Sequence, residues 1–424
     1  MMQGILESGC RIEARKQGEK SYKKVSYPLL VGQCSEIQTA RFVFQYDLNG
    51  AIKYIRGRSS DWPHPSEWLK RTIGHHWVYY FAGGYTDIAD VLGEYYLPCA
   101  DYPTNTLWSR DPFRDPEVQE ALAAWQRAPR RCAAEALACG EIDPEARKAA
   151  EQIAALGEAE LESRARRLKQ ILGSEVSVLP PDSRHVDYDC LPLILADGCL
   201  YGCRFCRVKS GRGFAERSWQ NIREQLQCLR EHFGAELSNR NALFLGLHDG
   251  LNCSPDRIVG AAEEAWRMLG LDASIIAQPR LFLFGSVDSL LRSPERVFEG
   301  MDRLPFTQHI NIGLESGDQQ SLDRLGKPLC ASDVHQAFER MLELNRRYER
   351  IEVTANFVSS ESLPESHWDR LGEMLIRMPQ RVSDKGTVYL SPLETHNKRF
   401  HLRRLKSLKR MSRLPVYLYL ILRL

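Results

Sequence analysis

The chain has 424 residues, a formal net charge of +2 and 43% hydrophobic residues. It is too long for one ordinary domain and apolar enough for two or three to bury cores. There is no run of about 18 apolar residues and no signal-peptide core in the first twenty, so a cytosolic protein without a membrane span is expected.

Residues 1–112 are rich in aromatics. Arg41–Tyr46 and Ala51–Arg56 alternate in character on either side of Asp47-Leu-Asn-Gly50, the pattern of a β-hairpin. Pro65–Arg71 reads as a short helix and His75–Phe81 as a strand, which makes this region a small α/β module. Over residues 113–173 the composition shifts to Ala, Glu, Arg and Leu, with breaks at Pro129 and at Gly140–Pro144. Three or four helices are expected there. Residues 174–189 contain Pro180-Pro181 and read as a linker.

From residue 190 to the end, short apolar runs alternate with amphipathic stretches. The candidate strands are Leu191–Ala196, Ala242–Leu247, Leu281–Ser286, Gln308–Leu314, Ile351–Val358 and Thr387–Pro392. Between them, Trp219, Ile222, Leu226, Leu229 and Phe233 recur at helical spacing. So do Val334, Phe338, Met341 and Tyr348 behind the N-cap Ser332, and Trp368, Leu371, Leu375 and Met378. Six strands alternating with helices imply parallel βαβ units, doubly wound or barrel-like. In either case ligands belong at the C-terminal ends of the strands.

Twelve cysteines are present. In a cytosolic chain, clustered cysteines bind metal or do chemistry more often than they form disulfides. Cys10, Cys34, Cys99, Cys228, Cys253 and Cys330 are scattered singly and read as small buried hydrophobes. The cluster is Asp197-Gly-Cys-Leu-Tyr-Gly-Cys-Arg-Phe-Cys206, directly after the first strand of the array. Gly198 and Gly202 let the loop wrap tightly, and Arg207 and Lys209 favour thiolates. Three thiolates on one loop suit three corners of a cubane and leave the fourth iron open. Cys190 sits at the far end of the strand, about 20 Å away, too far to fill that corner. Structural zinc with a His or a distant Cys as fourth ligand is the competing reading of the spacing.

Cys199-x3-Cys203-x-Phe205-Cys206 resembles the signature loop of radical S-adenosylmethionine enzymes, which carries an aromatic residue just before its last cysteine. Gly313-Leu-Glu-Ser-Gly317, with Ser321-Leu-Asp-Arg-Leu-Gly-Lys-Pro328, is similar to a second segment of one branch. That branch contains the elongator acetyltransferase subunit, methylthiotransferases, cobalamin-binding methylases and oxygen-independent coproporphyrinogen oxidases. The resemblance runs from about Leu191 to Pro392, roughly half the chain.

The resemblance implies a partial (β/α)6 TIM-like barrel over residues 190–424, with a [4Fe–4S] cluster on Cys199, Cys203 and Cys206. S-adenosylmethionine would be chelated at the open iron. The turn Gly246-Leu-His248-Asp249-Gly250, standing where the family commonly has Gly-Gly-Glu, would meet the methionine amine. Ser286, Glu315 and Ser316 would face the ribose and methionine ends, Asn356 the adenine, and Phe205 would flank the cluster. The activity implied is reductive cleavage to methionine and a 5′-deoxyadenosyl radical, which abstracts hydrogen from an unidentified substrate. A flavodoxin- or ferredoxin-like electron donor is implied as a partner, and the N-terminal region as a lid or substrate domain.

His396–Arg413 holds eight lysines and arginines and no acid, with Phe400, Leu402, Leu405, Leu408 and Met411 as an apolar stripe. This basic amphipathic helix is an outer helix of the barrel, an RNA-binding surface or a membrane-surface helix. Cys132 and Cys139 are too few for an auxiliary cluster. His64, His75 and His76 are candidates to touch substrate, with a structural role as the simpler reading. The function readings are a radical enzyme on an unknown substrate, an RNA-modifying member of the same chemistry, and a non-catalytic iron–sulfur or zinc protein.

Overall fold

The computed structural model describes residues 3–5, 9–22, 31–63, 67–80, 96–97, 112–139, 142–176, 178–206, 212–376, 385–394 and 397–419. Arg207, Lys209, His64 and Cys99 lie outside them.

The first sheet is an eight-stranded antiparallel meander. It comprises β1 (Gln3–Ile5), β2 (Arg11–Gln17), β3 (Gln33–Gln38), β4 (Phe42–Tyr46), β5 (Ile52–Gly57), β6 (Trp68–Arg71), β7 (Trp77–Tyr80) and β8 (Tyr96–Leu97). The expected hairpin is β4–β5, with Phe44 opposite Ile55. Its turn is set by Asp47 Oδ1, which accepts from the Asn49 and Ala51 amides at 2.9 and 2.8 Å, and by Gly50 at φ +84°. The short helix expected over Pro65–Arg71 is corrected: Trp68–Arg71 is strand β6, and all four residues are buried. Lys70 and Arg71 look solvated in the sequence, but their charges are met by Asp189 and Glu158, about 120 and 90 residues downstream. The described elements from Gln3 to Leu97 are strands.

Four helices follow: α1 (Pro116–Trp125), α2 (Ala128–Ala138), α3 (Pro144–Ala155) and α4 (Glu158–Leu172). Asp115 and Asp143 cap α1 and α3, each followed by a proline in the first turn. Trp125 packs edge-on against Trp77, 6.0 Å between centroids, fixing α1 to the sheet. Cys10, expected as a lone buried hydrophobe, is buried but disulfide-bonded to Cys132 of α2. Residues 178–183, in the stretch expected as a linker, are buried, and Pro181–Val186 form a 3-10 turn beneath the second sheet.

The second sheet has seven parallel strands in sequence order: β9 (Leu191–Leu193), β12 (Ala242–Leu245), β13 (Arg280–Gly285), β14 (Thr307–Glu315), β15 (Ile351–Ser359), β16 (Val388–Pro392) and β17 (Val416–Leu418). A two-stranded hairpin, β10 (Ala196–Asp197) with β11 (Ala215–Glu216), follows β9. The intervening helices are α5 (Trp219–Phe233), α6 (Pro255–Met268), α7 (Val287–Arg292), α8 (Glu295–Asp302), α9 (Gln319–Leu325), α10 (Ala331–Arg347), α11 (Glu365–Ile376) and α12 (Lys398–Met411). A doubly wound sheet reverses its order at a switch point, and this one does not. Successive right-handed crossovers therefore keep all helices on one face and curl the sheet about the other, giving a partial barrel. Six of its strands are those expected, and β17 extends the array.

In α12, Phe400, Leu405 and Leu408 are buried and Arg404 pairs with Glu365 of α11. Three of the five stripe residues thus pack into the barrel, while Leu402 is half-buried and Met411 exposed. Arg399, Arg403, Lys406 and Arg410 face solvent. No helix among the described residues is long and apolar enough to cross a membrane.

Candidate functional site

The cysteine loop springs from the C-terminal end of β9 and is clamped at its base. Ala196 and Asp197 pair with Glu216 and Ala215. The Arg217 guanidinium donates to both Asp197 oxygens at 3.0 and 2.6 Å, and its amide donates to Leu195 O at 2.8 Å. Only glycine fits at 198: its φ is +77°, and a Cβ there would lie 2.1 Å from Gly213 O. On the far side, Arg204 fastens the loop to the end of α9, its amide to Leu325 O at 3.2 Å and its guanidinium to Asp323 O at 2.7 Å. Phe205 packs against Leu325, Val358 and Leu363. The structure therefore shows it anchoring the loop to the barrel rim.

Of the three loop cysteines, Cys203 is buried and Cys199 and Cys206 are half-buried. Burial pushes the Cys203 thiol up to about 11, against the pull of nearby Lys327. Such a thiol stays protonated at neutral pH, so ligation there releases a proton.

The turn after β12 brings Asp249 to the same rim. Gly246 takes φ +94°, and a Cβ on Gly250 would stand 2.6 Å from Leu245 O, so the backbone folds tightly enough to turn Asp249 inward. Asp249 Oδ1 accepts from the Ser286 amide at 3.1 Å and Ser289 Oγ at 2.8 Å. Its Oδ2 is buried with no partner, and burial raises the carboxyl above its ordinary range. Ser286 caps α7, accepting from the Ser289 amide at 3.0 Å. His248 is half-buried, and burial lowers its pKa.

At the end of β14 the ladder shifts register between Gly313 and Glu315, and Glu315 takes φ +66°. This left-handed backbone is uncommon for a residue with a side chain. It is held by Lys327, whose Nζ donates to Glu315 Oε1 at 2.9 Å and Gly313 O at 2.5 Å. Lys327 also stands over the Tyr201 ring, 5.6 Å from its centroid. Sequence reasoning did not name Lys327 as a site residue, although it lies in the segment that carries the second resemblance.

Ser316 is fully buried. His367 Nε2 donates to Val358 O at 2.9 Å, so its Nδ1 accepts from Ser316 Oγ at 2.8 Å. The same hydroxyl accepts from the Asp318 amide at 3.1 Å. Burial holds His367 down to about 4, keeping it neutral in this role. Ser316 thus ties β14 and β15 to α11.

Asn356 lies inside the barrel at the top of a polar file. Its Nδ2 donates to Asn311 Oδ1, Asn311 Nδ2 donates to Thr354 Oγ1 at 2.8 Å, and Thr354 donates to Asp182 Oδ2 at 2.6 Å. Asn356 Oδ1 is buried and unpartnered. At the base, ligand atoms of Asp182, His185 and His309 lie within 4.8 Å of one another. Arg280 Nη1, which can only donate, stands 2.8 Å from His309 Nε2 and takes its lone pair. Asp182 Oδ1 already accepts from Tyr389 at 2.7 Å. This trio closes the base of the barrel as a polar plug.

No protein-family model and no curated protein matches the chain. Among solved structures it is similar to the cobalamin-dependent S-adenosylmethionine radical enzyme OxsB, at 15% identity over 55% of this chain and 32% of that one, TM-score 0.34. It is also similar to Streptococcus suis SuiB bound to S-adenosylmethionine, at 10% identity over 72% and 63%, TM-score 0.35. A radical SAM methyltransferase from Sphaerobacter thermophilus gives 15% identity over 54% and 65%, TM-score 0.36. The chain spans about a third of the length of OxsB.

Proposed function

We propose that this chain is a radical S-adenosylmethionine enzyme whose [4Fe–4S] cluster is held by Cys199, Cys203 and Cys206. The observation that carries the reading is the placement of three cysteines on one clamped loop at the C-terminal mouth of a parallel barrel. Facing that mouth is a buried carboxylate oxygen with nothing to accept from. The donor set fits: three thiols leave one corner of a cubane open. Cys190, at the opposite end of β9, is buried away from the loop.

When bound, the cluster and S-adenosylmethionine supply reductive homolysis and a 5′-deoxyadenosyl radical that abstracts hydrogen from substrate. The chain supplies binding, orientation and exclusion of water. Asp249 Oδ2 suits the methionine ammonium, because a buried unmet acceptor gains most from a charged donor. Asn356 Oδ1 suits a second donor, such as the exocyclic amine of adenine. Glu315 and Lys327 hold paired charges beside the loop and so fix the β14 bulge, while Phe205 and Arg204 hold the loop on the rim. Ser286 acts through its cap on α7, and His248 lines the same turn. We assign residues 1–112 and 113–173 to substrate, and the supply of electrons to a flavodoxin- or ferredoxin-like protein.

An RNA substrate is a second reading, favoured by the exposed Arg399, Arg403, Lys406 and Arg410 on α12. Anaerobic reconstitution with iron and sulfide, followed by S-adenosylmethionine and dithionite, tests the main reading. Formation of 5′-deoxyadenosine, lost in Cys203→Ala, supports it. Bound zinc in place of a cluster overturns it. Salt-sensitive binding to tRNA separates the RNA reading from the rest.

A further inference from the structure

The opposite end of the barrel carries a cleft that the mouth does not use. Lys53 of β5, Arg71 of β6, Arg164 of α4 and Arg240 just before β12 converge there with His75 and His232, around a volume of about 40 Å3. A water needs roughly 10–15 Å3 of such space, so the cleft holds about three water-sized groups. That is the scale of one oxoanion, and far short of a nucleotide or a sugar.

Arg71 and Arg240 are each 5% exposed, yet Arg71 Nε and Arg240 Nε and Nη1 have no hydrogen-bond partner. His75 Nδ1 is likewise unpartnered. The neighbouring acids leave these atoms unserved. Glu158 takes Arg71 through Nη1 and Nη2 at 3.1 and 2.6 Å. Asp189 and Glu236 stand 3.3 and 3.8 Å from Arg240 as ion pairs without hydrogen-bond geometry, and Glu236 Oε1, outside the cleft lining, is itself buried without a hydrogen-bond partner. Arg164 reaches the His232 carbonyl at 3.4 Å. The acid among the lining residues is Asp47, whose Oδ1 is already occupied by the Asn49 and Ala51 amides. Buried charged donors left unmet are costly, and an arginine fork matches a planar or tetrahedral oxoanion.

We propose that this cleft binds a single small oxoanion, a phosphate, sulfate or carboxylate group, held by Arg71, Arg164 and Arg240. These residues come from three separate parts of the chain, so a bound anion ties the N-terminal sheet and α4 to the base of the barrel. Burial together with Arg71 and Arg164 holds His75 down to about 3, and an anion between them relieves that repulsion. The site is independent of the chemistry proposed at the mouth.

The test uses the full chain, desalted, with its melting temperature followed during titration with phosphate, sulfate or acetate against chloride at matched ionic strength. A saturable rise with at least one oxoanion is expected, and which one responds identifies the anion geometry. Arg164→Gln should weaken the apparent affinity about tenfold. Arg166→Gln, an exposed neighbour, should leave it unchanged. Asp47→Asn keeps the turn-forming oxygen, removes the wall's acid and should tighten binding, a change that general loss of stability would not produce. The proposal is overturned if no oxoanion exceeds chloride, if Arg164→Gln responds like the parent, or if Asp47→Asn fails to tighten binding.

Discussion

Two regions of this molecule hold buried polar atoms without hydrogen-bond partners, and the side chains that line them are of opposite kinds. At the barrel mouth they are acceptors, Asp249 Oδ2 and Asn356 Oδ1; lining the cleft at the junction below the barrel they are arginine donors, on Arg71 and Arg240, with His75 Nδ1, while the acceptor Glu236 Oε1 stands behind Arg240, outside the lining. The mouth draws its acceptors from the C-terminal ends of β12 and β15, where the parallel fold gathers loops over an open end. The junction draws its donors from strands and helices more than a hundred residues apart. One is built to receive a cationic or donor group beside three thiols, the other an anion. Unmet buried groups therefore carry a sign, and that sign restricts the ligand.

The largest expected effect removes the thiols that make the mouth distinctive. Cys199→Ala, Cys203→Ala or Cys206→Ala should abolish iron and sulfide incorporation and 5′-deoxyadenosine formation. Cys139→Ala and Cys330→Ala, at exposed thiols, should leave both intact. An iron content unchanged by Cys203→Ala would end the comparison, because the mouth would then hold no cluster on that loop.

Next comes the charge that fastens the junction. Asp189 is buried within 3.3 Å of Lys53, Lys70 and Arg240. Burial alone would raise its carboxyl, but these three cations hold it well below the ordinary carboxylate range. Asp189→Asn strands their charges and should cost about 3–5 kcal/mol in urea unfolding. With its folded pKa depressed, the stability from Asp189 is fully present above the ordinary carboxylate pKa and is lost as pH falls through the lower folded value. The variant should lose that part of the acid dependence.

Asp249→Asn sharpens the reading of the mouth. The substitution keeps an oxygen for the Ser286 amide and Ser289 but replaces the unmet acceptor with a donor. The cluster should assemble normally while S-adenosylmethionine binds about tenfold more weakly or worse, as read by equilibrium dialysis. Unaltered binding would remove Asp249 from the site.

The smallest effect belongs to Ser316. Ser316→Ala should cost about 1–2 kcal/mol in stability and leave S-adenosylmethionine affinity unchanged, because the hydroxyl serves His367 and Asp318. His367, held down to about 4, contributes stability that is present above the ordinary histidine pKa and lost as pH falls towards that value. A weaker binding constant in Ser316→Ala would return this residue to the mouth.

Features that follow from local pattern are legible in the sequence. The cysteine spacing, the glycines of its loop and six parallel strands are matters of nearest neighbours and of periods 2 and 3.6, which the sequence displays directly. Ser316 was read as a cofactor contact because its neighbours Glu315 and Gly317 match a motif. In the structure its hydroxyl bonds to a histidine 51 residues away, and no local pattern announces such a bond. Lys327 was passed over for the same reason, since its contact with Glu315 depends on a register shift in β14.

By itself, then, the amino-acid sequence determined the parallel array and the placing of three thiols on its first loop, because both depend on short-range periodicity and spacing. Only the tertiary structure decided that Trp68–Arg71 is a strand, that the stretch around Pro180 is a buried plug, and that arginines from distant segments face one another across a cleft. Each of these is settled by burial and by charge pairs between residues far apart in the chain. Those energies arise only once the fold has brought the partners into a medium of low dielectric.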